Sequence, residues 1–210
     1  MRPLAFTLIL ITGAFAQTSQ VPYDNFNGGP TFENRQVSIS YPDSYSSIQR
    51  VNFRNFTFHS NDDIPLKNGR YKLDESLGHF TAQLESRHYL GKSIPKGESV
   101  LILLSWFGAG GSSSQGGIAQ VFTLIDGHLQ VVQDMGWDTH FDAGQPTESY
   151  DASTKTLIIR TAHYIPGDAH CCVSAMDVIS LRWNGTHFIQ TDIQTELSQY
   201  GKREGKTLPR

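Results

Sequence analysis

The chain has 210 residues, a formal net charge of −3 at pH 7, 38% hydrophobic residues and two cysteines. That length suits one domain with a real core. Scattered acidic residues and the lack of a basic stripe argue against nucleic-acid binding, and two cysteines are too few for a disulfide-stapled scaffold.

Arg2 precedes an apolar run over residues 4–15, which closes on Ala14-Phe15-Ala16. A basic start, a short apolar stretch and small residues at the cleavage positions describe a secretory signal peptide over residues 1–16. The run is shorter than the roughly 20 apolar residues of a membrane span. No cysteine follows it to carry a lipid anchor before the pair near residue 171. The expectation is therefore a secreted or periplasmic protein without a transmembrane segment once the signal is removed. Residues 17–49 are polar and lack periodicity, so they read as an extended arm or linker with a short strand at 36–41. A single β-rich domain is expected over 50–196, followed by a polar, frayed tail over 197–210.

Aromatics alternate from Val51 to Phe58, and Asn68-Gly69 is a strong turn signal, because a type I′ turn needs positive φ at both central residues. Phe80, Ala82 and Leu84 share one face of the next predicted strand. Residues 100–107 are apolar on both faces, which predicts a central strand covered on each side. The glycine-rich stretch 108–117 lacks the Lys-Ser/Thr of a phosphate loop and precedes β-branched residues, so it reads as a flexible strand connection. Asp126-Gly127 predicts a hairpin pairing Leu124 with Leu129, Phe122 with Val131, Thr123 with Gln130 and Gln120 with Gln133. Asn184-Gly185 predicts a second one, pairing Trp183 with Thr186, Leu181 with Phe188 and Ile179 with Gln190. Only residues 194–201 suit a short helix. The fold class expected is mainly β, an antiparallel meander of hairpins, sandwich- or barrel-like.

The chemically unusual stretch is Asp168-Ala169-His170-Cys171-Cys172. After export the two cysteines could form a vicinal disulfide, pair with another chain or remain buried thiols. The vicinal bridge is favoured because free thiols are hazardous in an oxidising compartment. It requires a distorted backbone, since neighbouring Cα atoms lie about 3.8 Å apart, closer than in an ordinary bridge. His163, Asp168, His170, Cys171 and Cys172 are also the residue types that bind zinc, but no Cys-x-x-Cys or His-x-x-x-His spacing is present. Asp168 is expected to cap the turn through backbone amides. His170 is the cation that could activate Cys171, with Asp168 offsetting it. Asp134, Asp138 and Asp142 around Trp137 do not follow an EF-hand spacing and read as solvated loop aspartates. Asn55 and Asn184 match the glycosylation acceptor pattern.

The segment from Ile64 to Tyr71, the Gly-Gly-Ser at 110–112, the hairpin 121–132, Asp168 to Ser174, and Arg182-Trp183-Asn184-Gly185 together resemble the LppP/LprE family of mycobacterial lipoproteins and their secreted relatives. The chain departs from that family in lacking a lipobox cysteine and in having Val173 where relatives often carry proline. The resemblance implies an extracytoplasmic protein and assigns no mechanism. The expectation for function is a non-enzymatic binding or envelope-associated module that needs no cofactor and meets an unidentified ligand or envelope component. The alternatives are a hydrolase or thiol-redox enzyme using His170-Cys171-Cys172, or a zinc-binding protein.

Overall fold

A computed structural model describes residues 31–60, 63–75, 78–93, 97–109, 113–139, 147–168 and 172–208. The expected signal peptide, and His170 and Cys171 of the cysteine turn, lie outside them. The described strands, in chain order, are β1 (Phe32–Ser44), β2 (Thr57–His59), β3 (Asp63–Pro65), β4 (Arg70–Glu75), β5 (Gly78–Ser93) and β6 (Gly97–Ala109). They continue with β7 (Ser113–Ile125), β8 (His128–Asp138), β9 (Glu148–Asp151), β10 (Thr156–His163), β11 (Ala175–Trp183) and β12 (Phe188–Leu197), before helix α1 (Gln199–Arg203). A six-stranded antiparallel sheet, in the order β1-β8-β7-β6-β5-β4, curls into a half-barrel. A four-stranded sheet, β12-β11-β10-β9, covers its convex face, and β2 and β3 pair with each other.

Successive side chains of a strand point to opposite faces, and β6 is apolar on both. Val100, Ile102 and Leu104 belong to a core on the concave side, whereas Leu101 and Leu103 belong to a second core between the two sheets. All five are buried. The central strand expected from the sequence is this one.

The concave core is filled by the chain between β1 and β4. The alternating aromatics do not extend the large sheet. Instead Phe53, Phe56 and Phe58 form a plug that meets Phe122 of β7 at ring-centroid distances of 5.0, 5.6 and 5.8 Å. Ile48, Val51, Ile64 and Leu66 complete it. On the convex side Leu157, Ile159, Ile179 and Leu181 supply the facing layer.

Both type I′ turns have the required geometry, with φ of 54° and 84° at Asn68-Gly69 and of 50° and 83° at Asp126-Gly127. The first hairpin keeps its expected pairs Leu124–Leu129, Thr123–Gln130 and Phe122–Val131, then slips by one residue. Val132 is the extra residue of a β-bulge, so Gln120 faces Asp134 and not Gln133. The second hairpin differs more. Asn184 Oδ1 accepts from the Thr186 and His187 amides at 2.9 and 3.0 Å and from the Thr186 hydroxyl at 2.9 Å. The loop therefore takes four residues instead of two, Trp183 pairs with Phe188, and Leu181 pairs with Gln190. A side chain that satisfies three donors overrides the two-residue turn that Asn-Gly otherwise favours.

Two further expectations are corrected. The polar segment before residue 50 is not a linker throughout, because β1 runs over 13 residues and pairs along β8 as the edge of the large sheet. The tail is not frayed at its start. The short C-terminal helix expected over 194–201 is present as α1, which starts later because residues 194–197 belong to β12. Ser198 caps it by accepting from the Gly201 amide at 2.9 Å.

Because one sheet serves two cores, truncation on either face should weaken the whole domain. Ile102→Ala and Leu103→Ala are each expected to cost about 2–5 kcal/mol within a single urea transition. Loss of stability on one face only, or two separate transitions, would show that the layers unfold independently.

Candidate functional site

Two places are candidates: the turn singled out by the sequence and a cleft that the sequence did not reveal. The turn is held from its acidic residue. Asp168, 6% exposed, accepts from the Ile165 amide at 3.0 Å, from the Ser174 amide at 2.9 Å and from the Ser174 hydroxyl. This is the capping role expected of it. Three donors on one carboxylate close the loop from Ile165 to Ser174. From outside, Ser198 reinforces it, with its amide donating to Ser174 O at 3.0 Å and its hydroxyl to Val173 O at 2.6 Å. Gly201 lies so close that a Cβ there would stand 2.1 Å from Ser174 O. The tail helix thus clamps the turn.

Cys172 is disulfide-bonded, and no described cysteine is free. Among the described residues, His163 pairs with an aspartate of β11. Its Nδ1 lies 3.0 Å from Oδ2 of Asp177, a residue 1% exposed whose Oδ1 accepts from the Thr195 hydroxyl at 2.6 Å. The Asp177 hydrogen bond raises the His163 pKa, against the opposing effect of burial. Among the described residues no group of three or more His, Cys, Asp or Glu is arranged to hold a metal. A cavity lined by Met176, Leu197, Ser198 and Lys202 measures only about 20 Å³, room for about one water.

The cleft is far larger, about 840 Å³, within the roughly 300–1,000 Å³ typical of small-molecule sites. It occupies the part of the half-barrel that the aromatic plug leaves open. Tyr71, Phe80, Trp106 and Ile118, from β4 to β7, form one wall, with Leu73 at its lip. Phe80 and Trp106 stack at 6.2 Å and 22°. Glu33 and Arg35 of β1 and Asp134 and Asp138 of β8 form the other wall, with Ser60 and Asp63 beside the plug also lining it.

Two local departures from regular strand chemistry build these walls. The bulge at Val132 changes which side chains of β8 face inward. Leu129 and Val131 point into the plug core, Met135 and Trp137 into the inter-sheet core, and Asp134 is turned towards the cleft. Gln133, which the unbulged register would put there, instead binds the Phe188 amide and carbonyl at 2.7 and 2.8 Å across the sheet interface. The second departure is Gly116-Gly117. These glycines do not form a flexible connection; they lie within β7. A Cβ on Gly117 would stand 1.9 Å from the Trp137 ring, and one on Gly116 would stand 2.8 Å from Trp106 and 1.9 Å from Trp137 O. Their bare backbone is what lets the two indoles seat against the strand.

Asp134 is 3% exposed and fully engaged. Its Oδ2 accepts from Arg35 Nη2 at 2.6 Å and from the Ser60 hydroxyl at 2.9 Å, and its Oδ1 from Gln120 Nε2 at 3.0 Å. Gln120 also donates to His59 O at 2.7 Å, so one buried network ties β1, β7, β8 and the plug together. Asp134 and Asp138 are therefore strand residues and not solvated loop aspartates, while Asp142 lies outside the described residues. Trp137 Nε1 and Thr31 Oγ1, buried beside the cleft, have no hydrogen-bond partner among the described residues. Such unsatisfied groups cost stability and mark a wall not optimised for stability alone.

Asp134→Ala removes the acceptor of three side chains and is expected to cost about 2 kcal/mol, measured by urea unfolding; an unchanged midpoint would contradict the network. For His163, a folded pKa above the ordinary 6.5 means that the charged pair stabilises the fold fully below that value. The contribution is lost as pH rises through the folded value. The stability difference between wild type and His163→Gln should therefore shrink from weakly acidic to alkaline pH, and a flat difference would contradict the pair. No family model, curated protein or solved structure matches the chain.

Proposed function

We propose that the protein is an exported binding module whose ligand, a small molecule with an apolar or aromatic body, occupies the cleft at the open end of the half-barrel. The observation that carries this reading is the cleft itself. One wall is aromatic and stacked, the other polar and internally hydrogen-bonded, and the volume matches a small-molecule site. Burying an apolar body there would gain about 25 cal/mol for each Å² removed from water. Leu73, 38% exposed, and the half-buried Tyr71 and Phe80 are the surface such a ligand would cover.

Export is supported by the signal-like residues 1–16 and by the resemblance to secreted lipoproteins. The same reading takes Cys171 and Cys172 as a vicinal disulfide that stiffens the turn. The bonded state of Cys172 in a chain with only one other cysteine supports it. A clamp of this kind, away from the cleft-lining residues, suits a structural role.

The test uses N-phenylnaphthylamine, a neutral dye whose emission rises on leaving water. The wild-type protein should bind it saturably at one site. Trp106→Ala and the surface change Leu73→Ser should each weaken binding, the former by about tenfold, which is about 1.4 kcal/mol. A non-saturating signal, or equal affinity in all three proteins, would overturn the proposal.

A further inference from the structure

The charges around the cleft narrow the class of ligand. Among the described lining residues four carboxylates, those of Glu33, Asp63, Asp134 and Asp138, face one guanidinium, that of Arg35. Arg35 is also committed. Its Nη2 is 2.6 Å from Asp134 Oδ2, and its Nε is 3.6 Å from Glu33. An anionic ligand would have to compete with two carboxylates already in place. Asp63, with a side chain 69% exposed, shares its carboxylate with His59 Nδ1 at 2.6 Å, and Asp138 ends β8 in the cleft lining. The cleft therefore carries a negative field within a concave, partly apolar wall, where field lines are focused and a cation gains more than on an open surface.

The opposite wall favours the same charge. The faces of aromatic rings are electron-rich and attract a cation within about 6 Å of the ring centroid. Tyr71, Phe80 and Trp106 succeed one another at centroid distances of 6.2 Å, so the wall opposite the carboxylates is a run of aromatic rings. An anion would be disfavoured by both walls.

We propose that the cleft selects an amphipathic cation, an apolar or aromatic body bearing an ammonium, quaternary ammonium or guanidinium group, placed between the Phe80–Trp106 stack and the Asp63 and Asp138 carboxylates. This rests on the reading of the cleft as a ligand site and adds the charge of the ligand to it.

The experiment compares three probes with one apolar body: phenylbutylamine, phenylbutanol and phenylbutyrate, each titrated against the dye-loaded full-length protein. The amine should displace the dye about tenfold more tightly than the alcohol, with the carboxylate weakest. That preference should decline between low salt and about 0.5 M salt. The double change Asp63→Asn with Asp138→Asn should bring amine and alcohol to within about twofold of each other. The salt response of the wild type tests the same point without any substitution. Equal displacement by all three probes, or tightest displacement by the carboxylate, would overturn the cationic preference while leaving the cleft as a binding site. Failure of the dye to bind at all would remove both.

Discussion

Everything in this molecule follows from a sheet that is apolar on both sides at its centre. Strand β6 sends Val100, Ile102 and Leu104 one way and Leu101 and Leu103 the other, and each face needs a cover. At about 25 cal/mol per Å² of apolar surface, leaving either face wet would cost more than the few kcal/mol by which domains are stable. The convex face is covered by a second sheet. The concave face is curled and cannot take another flat layer, so it is filled by a non-repetitive plug of aromatic residues. A plug of limited length fills a half-barrel only partway, and the remainder is the cleft.

The chemistry of that remainder depends on small irregularities. Without the Val132 bulge, the odd-numbered apolar residues of β8 would all lie on one face, and a single core would claim them. With it, Leu129 and Val131 serve the plug while Met135 and Trp137 serve the sheet interface. The same phase change exchanges Gln133 for Asp134 on the inner wall. Gln133 becomes the polar staple to Phe188, and Asp134 becomes the centre of the network that holds Arg35 in place. Beside it, Thr161 Oγ1 lies 2.6 Å from Thr31 O and 2.9 Å from Asp138 O, which joins the second sheet to the rim of the cleft. Packing between layers and the polarity of the cleft are thus set by the same strand.

What could be read from the sequence was what is local. The Asn68-Gly69 and Asp126-Gly127 turns, the two-faced strand and the capping role of Asp168 each depend on a few adjacent residues, and each is present. The bulge was invisible because its cause lies in two cores competing for one strand. The Asn184 loop departs from its Asn-Gly signal because a side-chain acceptor changes the loop length. Only residues 36–41 of β1 read as a strand, within an apparent linker, because an edge strand facing a polar wall lacks a strong apolar alternation. The cleft escaped for the same reason. Arg35 and Asp134 are 99 positions apart, and the aromatic residues of the opposite wall come from three strands, so no motif spacing could announce it. Its nearest sequence signals were the paired glycines at 116 and 117 and the aspartates around Trp137, both of which have an ordinary loop interpretation.

The chain's three tryptophans allow the most direct test. Trp106 lines the cleft, Trp137 borders it from the core between the sheets, and Trp183 is buried in that same core. Indole N–H resonances followed by two-dimensional NMR during titration with phenylbutylamine report on all three at once. The account predicts that the Trp106 signal shifts most, along one saturable curve, while Trp183 stays still. Shifts led by Trp183, or none at saturating probe, would contradict a binding site in the open end of the half-barrel.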